Sequence, residues 1–146
     1  MPAVRDLLLL PGLERHADLG LVLLRVLTGG FLLYQSHDNV LSAERMTEFV
    51  QFMRQFGFPA PELLAPLSIF WQVAAGIGFI LGLLTRWLGL ITAVNFAVAV
   101  WMVHWNDPVP GIWPAAVLLF LGLYFGLRGS GRYGLDAMLA RAGRRA

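Results

Sequence analysis

Apolar and polar positions along this chain fall into four long apolar blocks and one stretch of helical alternation. Residues 63–85, 87–106 and 108–127 hold no Asp, Glu, Lys or Arg, and residues 19–37 are interrupted only by Arg25. Each block is close to the ~20 residues that cross about 30 Å of hydrocarbon as a helix. The pattern predicts spans at about 17–36, 63–84, 87–105 and 112–127. Between the first two, LSAERMTEFVQFMRQFGFPAP changes character. Met46, Phe49, Val50, Met53 and Phe56 recur at helical spacing, with Glu44, Glu48, Gln51 and Gln55 on the other face. Ser42 stands where an N-cap belongs, and Gly57 and Pro59 where such a helix would end. An amphipathic helix is predicted at about 42–56, lying either in the membrane interface or across the end of the bundle. The fold class is an all-α membrane protein, a four-transmembrane-helix bundle with an amphipathic interfacial helix between the first and second spans. Thr85-Arg86 marks a tight hairpin between the second and third spans, and residues 106–111 a turn between the third and fourth.

Composition supports lipid as the solvent. Hydrophobic residues make up 58% of the chain and charged residues 14%, against roughly 45–50% and about 25% in soluble domains. Every basic side chain is Arg. A four-span chain puts Arg5, Arg15, Arg86, Arg128, Arg132, Arg141, Arg144 and Arg145 at one end, leaving Arg45 and Arg54 with five acidic residues at the other. By the positive-inside rule both termini are cytoplasmic, so residues 1–16 form a cytoplasmic lead and 128–146 a basic cytoplasmic tail. The net charge of +2 then reports topology, not nucleic-acid binding. Leu7–Leu10, closed by Pro11-Gly12, is too short for the apolar core of a signal peptide, so the first span is expected to serve as an uncleaved anchor. The sequence has no cysteine, which excludes thiol–disulfide chemistry, haem thioether attachment and cysteine-held iron–sulfur clusters. Gly78 and Gly82, and again Gly122 and Gly126, are spaced to let helices approach closely.

Polar groups inside the spans are the candidate chemistry. Ionisable residues at membrane depth usually face the bundle interior or a cavity. Arg25 lies ~10 Å along its span from Asp18, and Asn95 ~13 Å from Arg86, so the two fall at similar depth. Gln72 falls near mid-membrane. Two placements of Arg25 stay open. Its stem can lift the guanidinium to cytoplasmic water, or it can face inward towards Asn95, Gln72 or a bound ligand. Tyr34, Gln35, His37, Asp38, His104 and Asp107 gather near the opposite face. His37-Asp38 and His104…Asp107 could carry protons there, while their spacing matches no strong metal motif, so no metal is assigned. Both histidines lie near the rim, against a buried haem, and no phosphate-cradling or dinucleotide fingerprint is present.

In linear order these features resemble the DoxX family of small four-helix bacterial membrane proteins, over roughly Gly20–Asp136. Arg25 with Gly29-Gly30 resembles its first helix, and Phe58-Pro59-Ala60-Pro61 its connection into the second. Ala75-Gly76 and Leu81-Gly82-Leu83-Leu84-Thr85-Arg86 resemble its second helix. Gly129-Ser130-Gly131-Arg132-Tyr133-Gly134-Leu135-Asp136 is similar to its closing signature. The resemblance implies an inner-membrane location and association with membrane redox systems, including quinone-linked oxidation of sulfur compounds. It also implies departures: the family's His-Gly pair and Lys late in the first helix correspond to Gln35-Ser36 and Asn39 here. Its Glu in helix two corresponds to Gln72, and its Glu in helix four is absent near Trp113-Pro114. Three readings stand side by side. The chain is a membrane subunit of a redox-associated complex, holding a quinone or lipid at Arg25, Gln72, Asn95 and Tyr34. Or it is an independent quinone-dependent oxidoreductase with His37, Asp38, His104 and Asp107 as a proton path. Or it is a structural or assembly protein without ligand. The expected partners are the bilayer and other proteins of a membrane complex or further copies of the chain.

Overall fold

A computed structural model describes residue 4 and residues 8–144; Arg5 and Arg145 of the charge pattern lie outside that range. Four helices are long and apolar enough to cross a membrane. We label them α1 (Ala17–Leu41), α3 (Pro61–Leu81), α4 (Thr85–Ala99) and α5 (Val109–Arg128), with α2 (Ala43–Gln55) between the first two and a short α6 (Leu135–Ala142) at the end. A 3₁₀ turn at Pro11–His16 leads into α1, and α4 continues through a π-helical turn, Val100–His104. The predicted amphipathic helix is present, and Ser42 caps it by accepting a hydrogen bond from the Arg45 backbone N–H (3.3 Å). Several boundaries differ from the hydropathy pattern, two of them for evident reasons. α1 runs on to Leu41 because no breaker intervenes before Ser42, whose backbone is extended. α3 stops at Leu81 because Gly82 takes a left-handed conformation (φ +67°), so the hairpin turn is Gly82-Leu83-Leu84 and Thr85 already begins α4.

The bundle is assembled from two close antiparallel pairs, α1 on α3 and α4 on α5. Glycine sets both distances. A Cβ on Gly29 of α1 would stand 2.5 Å from the Gly76 carbonyl oxygen of α3. A Cβ on Gly89 of α4 would stand 2.5 Å from the Gly126 nitrogen and 2.7 Å from the Gly122 oxygen of α5. Backbones this close gain dispersion along their length, which is what drives association where lipid is as apolar as leucine. Of the four glycines predicted to pack helices, Gly122 and Gly126 do so against α4, and Gly78 lies against Leu88. Gly82 is the exception, ending its helix instead. The two pairs meet through an apolar core in which Phe79 and Phe125 lie 4.7 Å apart, joined by Leu21, Leu32, Leu88, Phe96 and Leu118.

The start of α1 and the end of α5 meet at one end of the bundle. Arg128 bonds Asp18 at 2.8 Å, and Arg86 donates to the carbonyls of Gly126 and Leu127 that terminate α5. The segment after α5 folds back over the α3–α4 turn. Asp136 accepts from the backbone N–H groups of Leu84 (2.7 Å) and Thr85 (2.9 Å), and its own N–H donates to the Gly82 carbonyl (2.9 Å). The first turn of α4, which lacks a cap of its own, is thus capped from more than fifty residues away. α6 has no counterpart among the elements expected from hydropathy; its eight residues sit within the predicted basic tail.

Candidate functional site

Between the two pairs, α3 and α4 diverge and leave a cleft of about 770 Å³. Its walls are apolar: Leu64, Leu67 and Trp71 from α3, and Leu90, Ile91, Val94 and Val98 from α4. Phe49, Phe52 and Met53 of α2 close one end, and Met53 is buried. The amphipathic helix therefore lies across the bundle end, with its apolar face on the cleft. Lining residues run along α4 from Trp87 to His104, ~26 Å at 1.5 Å per residue. Trp87, Leu90, Val94 and Val98 are exposed, so one side of the cleft opens where lipid would lie. Drug-sized ligands occupy pockets of about 300–1,000 Å³ lined mainly by apolar groups.

A ladder of neutral side chains crosses this wall near its midpoint. Gln35 Nε2 donates to Gln72 Oε1 (2.6 Å), Gln72 Nε2 to Ser68 Oγ (3.2 Å), and Ser68 Oγ to Asn95 Oδ1 (2.8 Å). The chain links α1, α3 and α4, and all four residues line the cleft. Every member but the last spends a donor on its neighbour. The Asn95 amide nitrogen has no partner among the described residues, so both its hydrogens are available to an acceptor in the cleft. The ladder holds no group that titrates near neutral pH. Of the predicted site residues, Gln72 and Asn95 come together here, through Ser68, which hydropathy alone does not single out. Its place four residues before Gln72 puts both on one helical face, the signal that would have found it. Gln35 joins the ladder, although its sequence neighbours group it with the rim.

Arg25 and Tyr34 do not join it. Arg25 is 1% exposed, so its head is not in water. Neither is it bonded to Gln72 or Asn95: its Nε and Nη1 have no hydrogen-bond partner among the described residues. A Cβ on Gly82 would overlap Nη1, which places the guanidinium against the α3–α4 turn, ~15 Å along α3 from Gln72. Side chains of a helix lean towards its N-terminus. In α1 that lean carries Arg25 towards the end where Arg128 meets Asp18, and the Asp136 segment covers the Gly82 turn there. Gly82 is the residue that lets the guanidinium lie this close. Tyr34 is 72% exposed and stacks on His37 at 5.5 Å.

At the α2 end, His37 pairs with Asp38 (3.0 Å) and His104 with Asp107 (2.8 Å). Each pair is made within its own stretch of chain, and of the four only His104 lines the cleft. Nearby on α2, Glu48 holds the Arg45 guanidinium above its ordinary pKa through a hydrogen bond and its charge. Among the described residues no three His, Asp or Glu are grouped to hold a metal.

No curated protein and no solved structure matches the chain. A family model does match, over residues 20–105, described as DoxX. The matched segment takes in α1 to α4 with the complete Gln35–Gln72–Ser68–Asn95 ladder and stops short of the 129–136 octapeptide. With more than half of its length so matched, this multi-pass membrane protein belongs to the DoxX family.

Proposed function

We propose that the protein is a ligand-holding membrane subunit of a bacterial redox-associated complex, with a quinone or lipid seated in the α3–α4 cleft. The observation that carries this reading is the neutral amide ladder in an otherwise apolar wall, ending on the free Asn95 amide. A carbonyl-bearing head would accept from Asn95 while its chain lies along α4. Donors fixed in a dry site stabilise an acceptor far more than the same donors in water. Gln35, Gln72, Ser68 and Asn95 neither take nor give protons near neutrality. This favours holding over turnover, and sets the independent oxidoreductase reading second. Within that second reading His104, with Asp107, stands at the cleft mouth as the proton-carrying group. In this reading the membrane is the bacterial inner membrane, and the Arg86, Arg128, Arg132 and Arg141 end of the bundle, with both termini, faces the cytoplasm; the arginine asymmetry supports that orientation.

The test is the content of the purified protein in mild detergent, read by mass spectrometry of extracted lipids and quinones and of co-purifying proteins. One molecular species should be enriched over bulk lipid. Asn95→Leu should lower its content about tenfold, the loss expected for ~1.4 kcal/mol of binding. No enrichment over bulk lipid, or unchanged content in a folded Asn95→Leu, refutes the reading and leaves the structural role.

A further inference from the structure

The turn over Arg25 is built like an anion receptor. Leu84 and Thr85 open α4 with backbone N–H groups that no earlier turn can use, at the positive end of the helix dipole. Behind them lies the Arg25 guanidinium, 1% exposed, with Nε and Nη1 unpartnered among the described residues. The Thr85 hydroxyl is also buried without a partner. A buried cation with idle donors requires a counter-charge, because a lone charge out of water costs several kcal/mol. Asp136 reaches the same glycine: Arg25 Nη1 lies against Gly82, the Asp136 N–H donates to the Gly82 carbonyl, and the Asp136 carboxylate takes both backbone donors. Gly134 completes the fit, since a Cβ there would stand 3.0 Å from the Gly82 oxygen and would overlap the Ser130 Cβ.

The chain beyond Asp136 is held lightly. Met138 and Leu139 of α6 are 59% and 63% exposed, and the Arg141 side chain returns to carbonyls of its own segment, those of Arg132 and Ala137. The segment is moored through Gly134, Asp136 and the Arg128–Asp18 pair.

We propose that the Gly82–Thr85 turn with Arg25 is a carboxylate receptor filled in cis by Asp136, making residues 129–142 a latch whose hold comes from the buried arginine. The receptor recognises a planar carboxylate, through two backbone donors and a guanidinium charge. A small free carboxylate therefore enters it once Asp136 is removed. This inference is independent of what the cleft holds.

The experiment is thermal unfolding of the full chain in detergent, with sodium formate titrated against sodium chloride at equal ionic strength. Asp136→Ala should lower Tm by about 10 °C, the consequence of stranding a buried charge. Formate at a hundred times its Kd should return about 5 °C, saturably, where chloride returns none. Wild type and the double variant Arg25→Met/Asp136→Ala should show no formate response. A formate effect that is absent in Asp136→Ala, or that persists without Arg25, overturns the proposal. If Asp136→Ala does not fold, Asp136→Asn and Arg25→Met/Asp136→Asn decide. The double variant must melt above the single, because it removes the stranded charge; equal or lower melting overturns the latch.

Discussion

Replacing Gly89 by Ala adds one methyl group where two helix backbones touch. Its Cβ would stand 2.5 Å from the Gly126 nitrogen and 2.7 Å from the Gly122 oxygen, where an ordinary contact begins near 3.4 Å. Neither neighbour is a flexible side chain, so α4 and α5 must part by nearly 1 Å. Forced overpacking of this kind costs about 1–3 kcal/mol, against a gain of up to ~1 kcal/mol from the better helix former. Gly30 of α1 is the control, because nothing lies within 4 Å of a Cβ there and only the gain remains. The two variants should therefore differ by about 2 kcal/mol, a roughly thirty-fold difference in the folded-to-unfolded ratio. Reversible unfolding in mixed micelles of rising SDS fraction, followed by circular dichroism, reads this directly. Gly122→Ala should behave like Gly89→Ala, since its Cβ would meet the Ala93 nitrogen and the Gly89 oxygen at 2.7 Å. The double variant should cost less than the sum, because one separation relieves both clashes. Equal midpoints for Gly89→Ala and Gly30→Ala would refute the claim that backbone contact holds this pair.

Conformation and charge give two more expected outcomes. Ala60, the residue just before α3, has φ +45°, a conformation that glycine adopts without the steric cost, so Ala60→Gly should raise stability by up to ~1 kcal/mol in the same SDS assay. The Arg54–Glu62 pair tethers α2 to α3 but both partners are more than half exposed; Glu62→Gln should leave the SDS midpoint where it is in wild type, because water and salt screen such a pair.

The four spans and the amphipathic helix are legible in the sequence because charge-free length and helical period are local properties of the chain. Gln72 and Asn95 are legible as amides within the spans for the same reason. Their link through Ser68 is not, because register between helices is set by where Gly29 meets Gly76 and where Gly89 meets Gly122, which no single-segment pattern encodes. Arg25 shows another limit. Depth counted at the Cα puts it level with Asn95, while the lean and reach of its side chain bring the charge against Gly82 at the α3–α4 turn. The closing octapeptide is recognisable by resemblance alone; that its Asp136 caps α4 and bonds Gly82 requires the fold. Gly82 reads as a packing residue on a spacing that a left-handed helix end satisfies equally well.

The position of Arg25's counter-charge also fixes an order of events during synthesis. Asp136 leaves the ribosome about 110 residues after Arg25, roughly 5–20 s later at ordinary elongation rates. For that interval α1 carries a bare cation that must be kept wet or held by the insertion machinery. The first helix of this bundle is completed by a stretch made about 110 residues after it.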